Sequence, residues 1–349
     1  MQKTMPAAVY HAPHDLRVEG VPVPDVGPND LLAEVAWCGV CGSDLHTVIE
    51  GWGRPGTIGG HEWSGTVVAV GDGVAGWSVG DRLVGGPSVT CGVCGPCEAG
   101  RPSLCVDRPT PGMDAYRGAF APYKLVAADE AVAVPDGLDL RAAALTEPLA
   151  VALHALTQGG VSAGDRVLVT GAGPIGALVI AALVARGIED IAVSEPSETR
   201  RKLAERLGAS EVVEPAALDV PSSFEPMKLS ANPFDVVFEC SGKDVAMEAG
   251  LAQLGKGGRL VLVGAGVNAP RFDPNRILLN ELVLTGAFEY DASGFDDALD
   301  LLATGAIPVD ALVEPDDVSL AELLETCERL FRGEIAGKVM VNPREMRGE

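Results

Sequence analysis

Cys91-x-x-Cys94-x-x-Cys97-x7-Cys105 gathers four thiols within 15 residues of a loop rich in glycine and proline. Zinc takes four sulfurs in a tetrahedron at about 2.3 Å, and a short loop can supply them without a folded core. Four thiolates leave no position open for a substrate, so such a site is structural. An iron–sulfur cluster accepts the same ligands, but neither a second cysteine group nor an electron-carrier composition accompanies this one. A second constellation is Cys41-Gly-Ser43-Asp44-Leu-His46, followed by Gly60-His61-Glu62. It offers one thiolate and one imidazole, with Asp44, His46 and Glu62 close in sequence. A zinc that does chemistry needs a third protein ligand and an open fourth position. The best candidate is Glu147 in Thr146-Glu147-Pro148, an acid within the largely apolar residues 142–156. The competing reading of Glu147 is a carboxylate stabilised by the dipole at a helix N-terminus.

The third pattern is Gly171-Ala-Gly173-Pro174-Ile175-Gly176, preceded by the apolar run Val167-Leu-Val-Thr. Chance matches to Gly-x-Gly-x-x-Gly are common in a chain with 43 glycines, but a strand before this one and a helix after it make the match specific. Gly171 permits the tight turn, Gly173 lets the backbone approach a pyrophosphate, and Gly176 lets helix and strand pack closely. The helix that opens at Pro174 and Ile175 presents unpaired N–H groups to the phosphates. Glu195 lies nineteen residues beyond Gly176, at the end of the next strand, where a carboxylate can accept from the ribose hydroxyls. Its charge would repel a 2′-phosphate, so NAD is expected over NADP. Arg200 and Arg201 follow on the next helix and could soften that preference.

Two kinds of scaffold are needed to position these groups. From Pro6 to about Asp136 the chain reads as short strands broken by Gly and Pro, at 33–37, 65–70, 82–84, 121–126 and 131–134. That spacing predicts a compact, barrel-like β domain. Near Asp139 the texture changes. Residues 140–158 have helical spacing, with a break predicted at Pro148. Strands at 166–170, 191–194, 235–239, 259–264 and 282–285 then alternate with helices at 174–186 and 198–207, the latter closed by Gly208. Such alternation predicts a parallel sheet covered on both faces. The tail reads as helices at 295–302 and 320–332 and a strand at 338–341, returning to the first domain.

The chain has 349 residues, which suggests two domains at about 150 residues each. Acidic residues exceed basic ones by 49 − 26 = 23. A surface that negative repels phosphate backbones and anionic lipid heads, so neither nucleic acid nor a membrane is an expected partner. The first twenty residues carry Lys3 but no apolar core of a signal peptide, and a cytoplasmic protein is expected.

Taken together, the Cys-Gly-Ser-Asp-x-His block at 41–46, Gly-His-Glu at 60–62, the four-cysteine loop at 91–105, Glu-Pro-Leu at 147–149, the glycine turn at 171–176 and Gly-Lys-Val at 337–339 resemble the medium-chain zinc-dependent alcohol and polyol dehydrogenases. The likeness covers nearly the full length and looks closest to the sorbitol, butanediol and threonine dehydrogenase branch. It implies a GroES-like catalytic domain at 1–150 and again at 289–349, with a Rossmann coenzyme domain at 151–288 between them. It also implies two zinc ions per chain, a homodimer or homotetramer, and hydride transfer between NAD(H) and a secondary alcohol, diol or polyol and its ketone.

Position by position, the resemblance makes Cys41 and His61 ligands of a catalytic zinc. Glu147 stands where some relatives place a second cysteine, and Glu62 is the alternative for that ligand position. Asp44 would orient His61, Ser43 would hydrogen-bond the alcohol, and His46 would carry the proton towards solvent. Glu195 and Arg200 fall where relatives hold the adenosine ribose, and Trp52 and Tyr116 where a substrate pocket is lined. Residues 219–233, with Pro221, Pro226 and Pro233, depart from the family pattern, and a rearranged surface helix is expected there. Two rivals remain at this point. One is a zinc-independent quinone or enone reductase of the same superfamily; the other is a zinc-stapled NAD-binding protein without catalysis.

Overall fold

The computed structural model describes residues 3–86, 90–108, 118–222 and 224–345. Runs of β-branched and aromatic residues between glycine turns form eight strands in the first part of the chain. These are β1 (Thr4–Ala12), β2 (Asp15–Pro22), β3 (Asp30–Gly39), β4 (Thr57–Ile58), β5 (Glu62–Val70), β6 (Arg82–Gly85), β7 (Tyr123–Ala127) and β8 (Ala131–Ala133). β1 is flanked by β2 and β4 in a small antiparallel sheet. β3 pairs with β5 on one edge and with β7 on the other, and β6 and β8 extend the sheet beyond β5. The core between these sheets holds Tyr10, Leu31, Val35, Trp63 and Phe120.

The second part supplies β9 (Val167–Thr170), β10 (Ile191–Ser194), β11 (Glu211–Val213), β12 (Phe234–Glu239), β13 (Leu254–Leu262) and β14 (Val283–Gly286). They form one parallel sheet in the order β11-β10-β9-β12-β13-β14. This is the doubly wound Rossmann order, in which the chain reverses direction across the sheet beside its first strand. Every residue of β9 and β10 is buried, as a sheet covered on both faces requires. One face packs against helices Thr146–Gly159, Pro174–Ala185 and Gly294–Ala303, and the other against Asp244–Gln253 and Pro274–Asn280. The chain then returns: its last strand, β15 (Met340–Val341), pairs antiparallel with β3. Among the described residues no helix is long and apolar enough to cross a membrane.

Two local expectations fail. Pro148 does not break the helix; the break falls at Ala144 and Leu145, between helices Leu140–Ala143 and Thr146–Gly159. Pro148 is the third residue of the second helix, where its missing N–H would have had no partner anyway. Among the described residues of 219–233 there is no helix. Their prolines withhold N–H donors, and the carbonyls of Ser222, Glu225 and Lys228 accept from the Arg276 guanidinium instead. Asn280 donates to the Pro226 carbonyl at 2.8 Å.

Candidate metal and coenzyme sites

Cys41 stands at the turn into the short helix Gly42–Val48, and its N–H donates to Asp44 Oδ2 at 2.9 Å. His61 leads into β5 from a glycine pair. Gly60 has φ +90°, and a Cβ there would lie 2.8 Å from Cys38 Sγ, so only glycine fits. The turn and the strand bring one ligand atom each from Cys41, His61 and Glu62 within 4.8 Å of one another. Glu147, buried in the first turn of helix Thr146–Gly159, is close enough to interact electrostatically with His61, Glu62 and Cys41, but its carboxylate is not among the three ligand atoms that lie within 4.8 Å of one another. Ser43 Oγ sits 3.4 Å from His61 Nε2.

Glu62 is not a free carboxylate. Lys338, from the returning tail, donates to its two oxygens at 2.7 and 2.6 Å and to the Val40 carbonyl at 3.1 Å. Both side chains are almost fully buried, 4% and 1% exposed. Gly39 makes the room, since a Cβ there would collide with Glu62 Oε2.

The electrostatics describe a site short of positive charge. Burial pushes the Cys41 thiol up to about 12, and the Glu62 carboxylate adds to the rise. Burial likewise pushes Glu147 up to about 8, against the pull of His61. Asp44 is raised by burial, while His61 opposes. For His61 burial works downward, yet the carboxylates of Asp44, Glu147 and Glu62 together raise it. A thiol, an imidazole and buried acids can all take their ligating forms only if a cation arrives, and the donor set of one sulfur, one nitrogen and carboxylate oxygen suits zinc.

The four-cysteine loop is built differently. Cys91, Cys94, Cys97 and Cys105 place their sulfurs within 4.8 Å of one another and are half-exposed. The Cys94 sulfur lies 3.4 Å from that of Cys97 and 4.0 Å from that of Cys105. Tetrahedral zinc sets sulfurs about 3.8 Å apart, so the cage is already close to that size. N–H groups of Cys91 and Cys94 donate to sulfurs of Cys105 and Cys91, both at 3.3 Å.

At the coenzyme end, Gly171 turns with φ +88° against Ser241, and a Cβ on Gly176 would meet the Gly171 carbonyl. Helix Pro174–Ala185 begins directly after this turn, with Pro174 and Ile175 in its first turn. Glu195 is buried at the end of β10, accepting from Ala172 N–H at 2.7 Å and Ser197 N–H at 2.8 Å. Arg200 reaches across to the carbonyls of Ile335 and Leu330, and its Nη1 lies 3.7 Å from where a Gly173 Cβ would be. Beyond the ends of β13 and β14 opens a cleft of about 500 Å³, into which His154 and Gln158 of helix Thr146–Gly159 face. Glu147 and His154 are two turns apart on that helix, about 10 Å.

These features bear on family membership. Residues 27–136 match the alcohol dehydrogenase GroES-like domain and residues 174–304 the zinc-binding dehydrogenase domain. Sorbitol dehydrogenase of Bacillus subtilis (strain 168) is 34% identical, with 98% of each chain covered. The chain belongs to the medium-chain zinc-dependent alcohol and polyol dehydrogenases. The structure of 2R,3R-butanediol dehydrogenase from Bacillus subtilis superposes with a TM-score of 0.85 at 33% identity, covering 97% of this chain and 100% of that one. A protein of Sinorhizobium meliloti 1021, described as a zinc-binding dehydrogenase and bound to NADP, gives 0.86 at 32% identity, over 98% and 100%.

Within this dehydrogenase, several contacts escaped sequence reasoning. His46 Nδ1 lies 2.5 Å from Glu50 Oε2, and the Trp52 ring stacks on the imidazole at 4.4 Å. Trp52 itself is 55% exposed. A Glu four residues after a His on a helix was a readable signal for the first contact. Lys338 on Glu62, Asp291 on His154 at 2.8 Å and Arg108 on Glu289 join residues too far apart in sequence for spacing to reveal. Tyr116 lies outside the described residues.

Proposed function

We propose that this chain is an NAD-dependent dehydrogenase that interconverts a secondary alcohol, vicinal diol or polyol with its ketone, using one catalytic and one structural zinc ion. The reading is carried by the single helix that presents Glu147 to the Cys41–His61 cluster and His154 to the cleft at the carboxyl ends of β13 and β14. The same helix thus links the residues that would hold a cation to those that line the cleft, and we place the domain limits near residues 150 and 288, the first of them within this helix. When bound by Cys41, His61 and Glu147, zinc supplies Lewis acidity that makes an alcohol easier to ionise. NAD supplies the hydride acceptor.

The chain's own residues do the rest. Lys338 holds Glu62 in an ion pair, which favours Glu147 as third ligand. Ser43 Oγ, beside His61, is placed to take the alcohol proton. His46 lies three residues along the same helix and passes it towards Glu50. Asp44 fixes the Cys41 turn through its N–H and raises the charge preference of His61. Glu195 spends one lone pair on each of two N–H groups and keeps further acceptor capacity for ribose hydroxyls. That favours NAD, while the NADP in the Sinorhizobium relative makes the phosphorylated coenzyme the second reading. The relatives acting on sorbitol and butanediol support a polyol or diol substrate. As in that family, we place the protein in the cytoplasm as a homodimer or homotetramer. An NAD- and NADP-coupled screen across alcohols and ketones, with zinc per chain measured on the same sample, tests the reading. No turnover on any of them by protein holding two zinc ions would overturn it.

A further inference from the structure

The cysteine lobe forms one wall of the cleft. Arg101, Ser103 and Leu104 line one side, facing Ala287 and Phe288 beyond β14 and Val263 beyond β13. The lobe has little to hold it in that place. Its two short helical segments, Gly95–Glu98 and Pro102–Leu104, bury no residue at all.

Among the described residues, one arginine makes contact with both lobe and loop. Arg108 stands three residues after Cys105. Its guanidinium pairs with the Glu289 carboxylate, and each side chain is 11% exposed. A second nitrogen donates to the Pro102 carbonyl, inside the lobe, at 2.7 Å. The same guanidinium lies 5.7 Å from the centre of the Phe288 ring, within cation–π range. Glu289 adopts φ +58°, a conformation a residue with an unbranched acidic side chain rarely takes unless its surroundings impose it. Arg108 therefore touches the lobe, the cleft-lining ring and the strained residue after it.

We infer that the Arg108–Glu289 pair is a latch through which the metal-filled cysteine lobe positions the loop at 286–289, so that the lobe's metal sets dinucleotide affinity as well as stability. This rests on reading the cleft as the nicotinamide end of the coenzyme site. The physical argument is short. With zinc bound, four sulfurs fix a segment that has no core of its own. Arg108 transmits that fixed position to Glu289 because a nearly buried ion pair resists separation of its partners. Without the metal, residues 101–108 lose their anchor and the wall of the cleft loses its placement.

The test is a titration with NADH and, separately, NADPH, read by fluorescence on the full chain, with a melting curve and zinc content for each variant. Arg108→Met and Glu289→Gln are each expected to weaken coenzyme binding about tenfold, raising KM for the coenzyme far more than they change kcat. Cys94→Ser is expected to weaken binding by a similar factor, and adding Arg108→Met to it should do little more, since both act through one contact. Full additivity of the two substitutions, or wild-type affinity in Glu289→Gln, which preserves the side chain's shape, would overturn the latch. Wild-type protein that binds neither coenzyme would overturn the reading of the cleft instead.

Discussion

The Cys41–His61 cluster and the four-cysteine lobe are both candidate zinc sites, and they are opposites in construction. The lobe takes all its donors from 15 consecutive residues, leaves them half-exposed and binds its sulfurs with its own N–H groups. There an N–H from Val106 and one from Cys97 draw the Cys94 thiol down to about 6. The cluster takes its ligand atoms from a helix cap and a strand start, has the acid of a distant helix beside it and a lysine of the returning tail paired with Glu62, and burial pushes the Cys41 thiol the other way. Cys105 is drawn down as well, while burial and the neighbouring sulfurs push Cys97 up to about 12. The lobe therefore favours the thiolate at some of its four positions before the metal arrives and, with four sulfurs, fills every position of a zinc ion. A cluster whose acids are strained until a cation arrives, with Glu62 already held by Lys338, keeps fewer ligands on the metal. The open position that chemistry needs comes from that incompleteness.

The largest expected effect separates the two sites directly. Cys41→Ser should lower kcat by at least about a thousandfold, since a Lewis acid contributes several kcal/mol to the barrier. NADH affinity should stay within about threefold. Parallel collapse of both in one titration would mean that the cluster is not a centre of chemistry. Next comes the pair that restrains Glu62. Lys338→Met leaves a carboxylate buried without its partner and should cost about 3–5 kcal/mol in a urea unfolding curve. Adding Glu62→Gln should recover much of it. Recovery failing to appear would show that Lys338 acts through packing instead. Cys94→Ser belongs below these in size. A melting point about 5–10 °C lower, with kcat at saturating coenzyme within about threefold, is the expected result. An inactive variant that melts normally would erase the division between a stabilising site and a reacting one.

The sequence is most informative where one short segment does the work. Cys91 to Cys105 and Gly171 to Gly176 are complete motifs, and the alternation of strands and helices after Arg166 leads to the Rossmann sheet. It is least informative where distant segments meet. β1 and β2 carry too weak a strand signal to be read alone, since pairing with each other and, for β1, with β4 fixes them. Lys338 carries a readable Gly-Lys-Val context but no hint of Glu62, 276 residues away. Pro148 misleads because a proline's effect depends on its place in the helix, and three residues decide whether it breaks or begins one. The prolines of 219–233 suggest a rearranged helix, whereas Arg276 supplies the hydrogen bonds that such a helix would have made for itself.

The same contrast has a pH signature in metal-free protein. Glu147 titrates near 8 when folded and near 4.5 when unfolded, because burial opposes its charge. Between those values the folded state holds a proton that the unfolded state has released, so stability falls as pH rises. Raised values for Asp44 and His61 act in the same direction. The lowered Cys94 and Cys105 thiols of the metal-free lobe act the other way, so the Glu147 contribution is read by difference. From about pH 5.5 to about pH 8, metal-free wild type should lose about 5 °C more in melting point, or gain about 5 °C less, than metal-free Glu147→Gln. A slope identical in that variant would place the charge strain elsewhere.

The smallest effect concerns the exit from the cluster, which the lobe lacks altogether. Glu50 holds His46 at Nδ1, and Trp52 stacks on the ring, so both fix the imidazole's orientation, and among the described residues its other nitrogen makes no hydrogen bond. Glu50→Gln keeps an acceptor oxygen and nearly the same shape but removes the carboxylate charge beside His46 Nδ1. A fall in kcat of about three- to tenfold is expected, within the range for general acid–base groups that act at one remove. Coenzyme affinity and melting point should not move. Added imidazole should restore part of the rate in His46→Ala, by replacing the missing ring, and less in Glu50→Gln, where the ring is still present. If Glu50→Gln retains full activity, the contact only braces Trp52, and protons leave the cluster by another route.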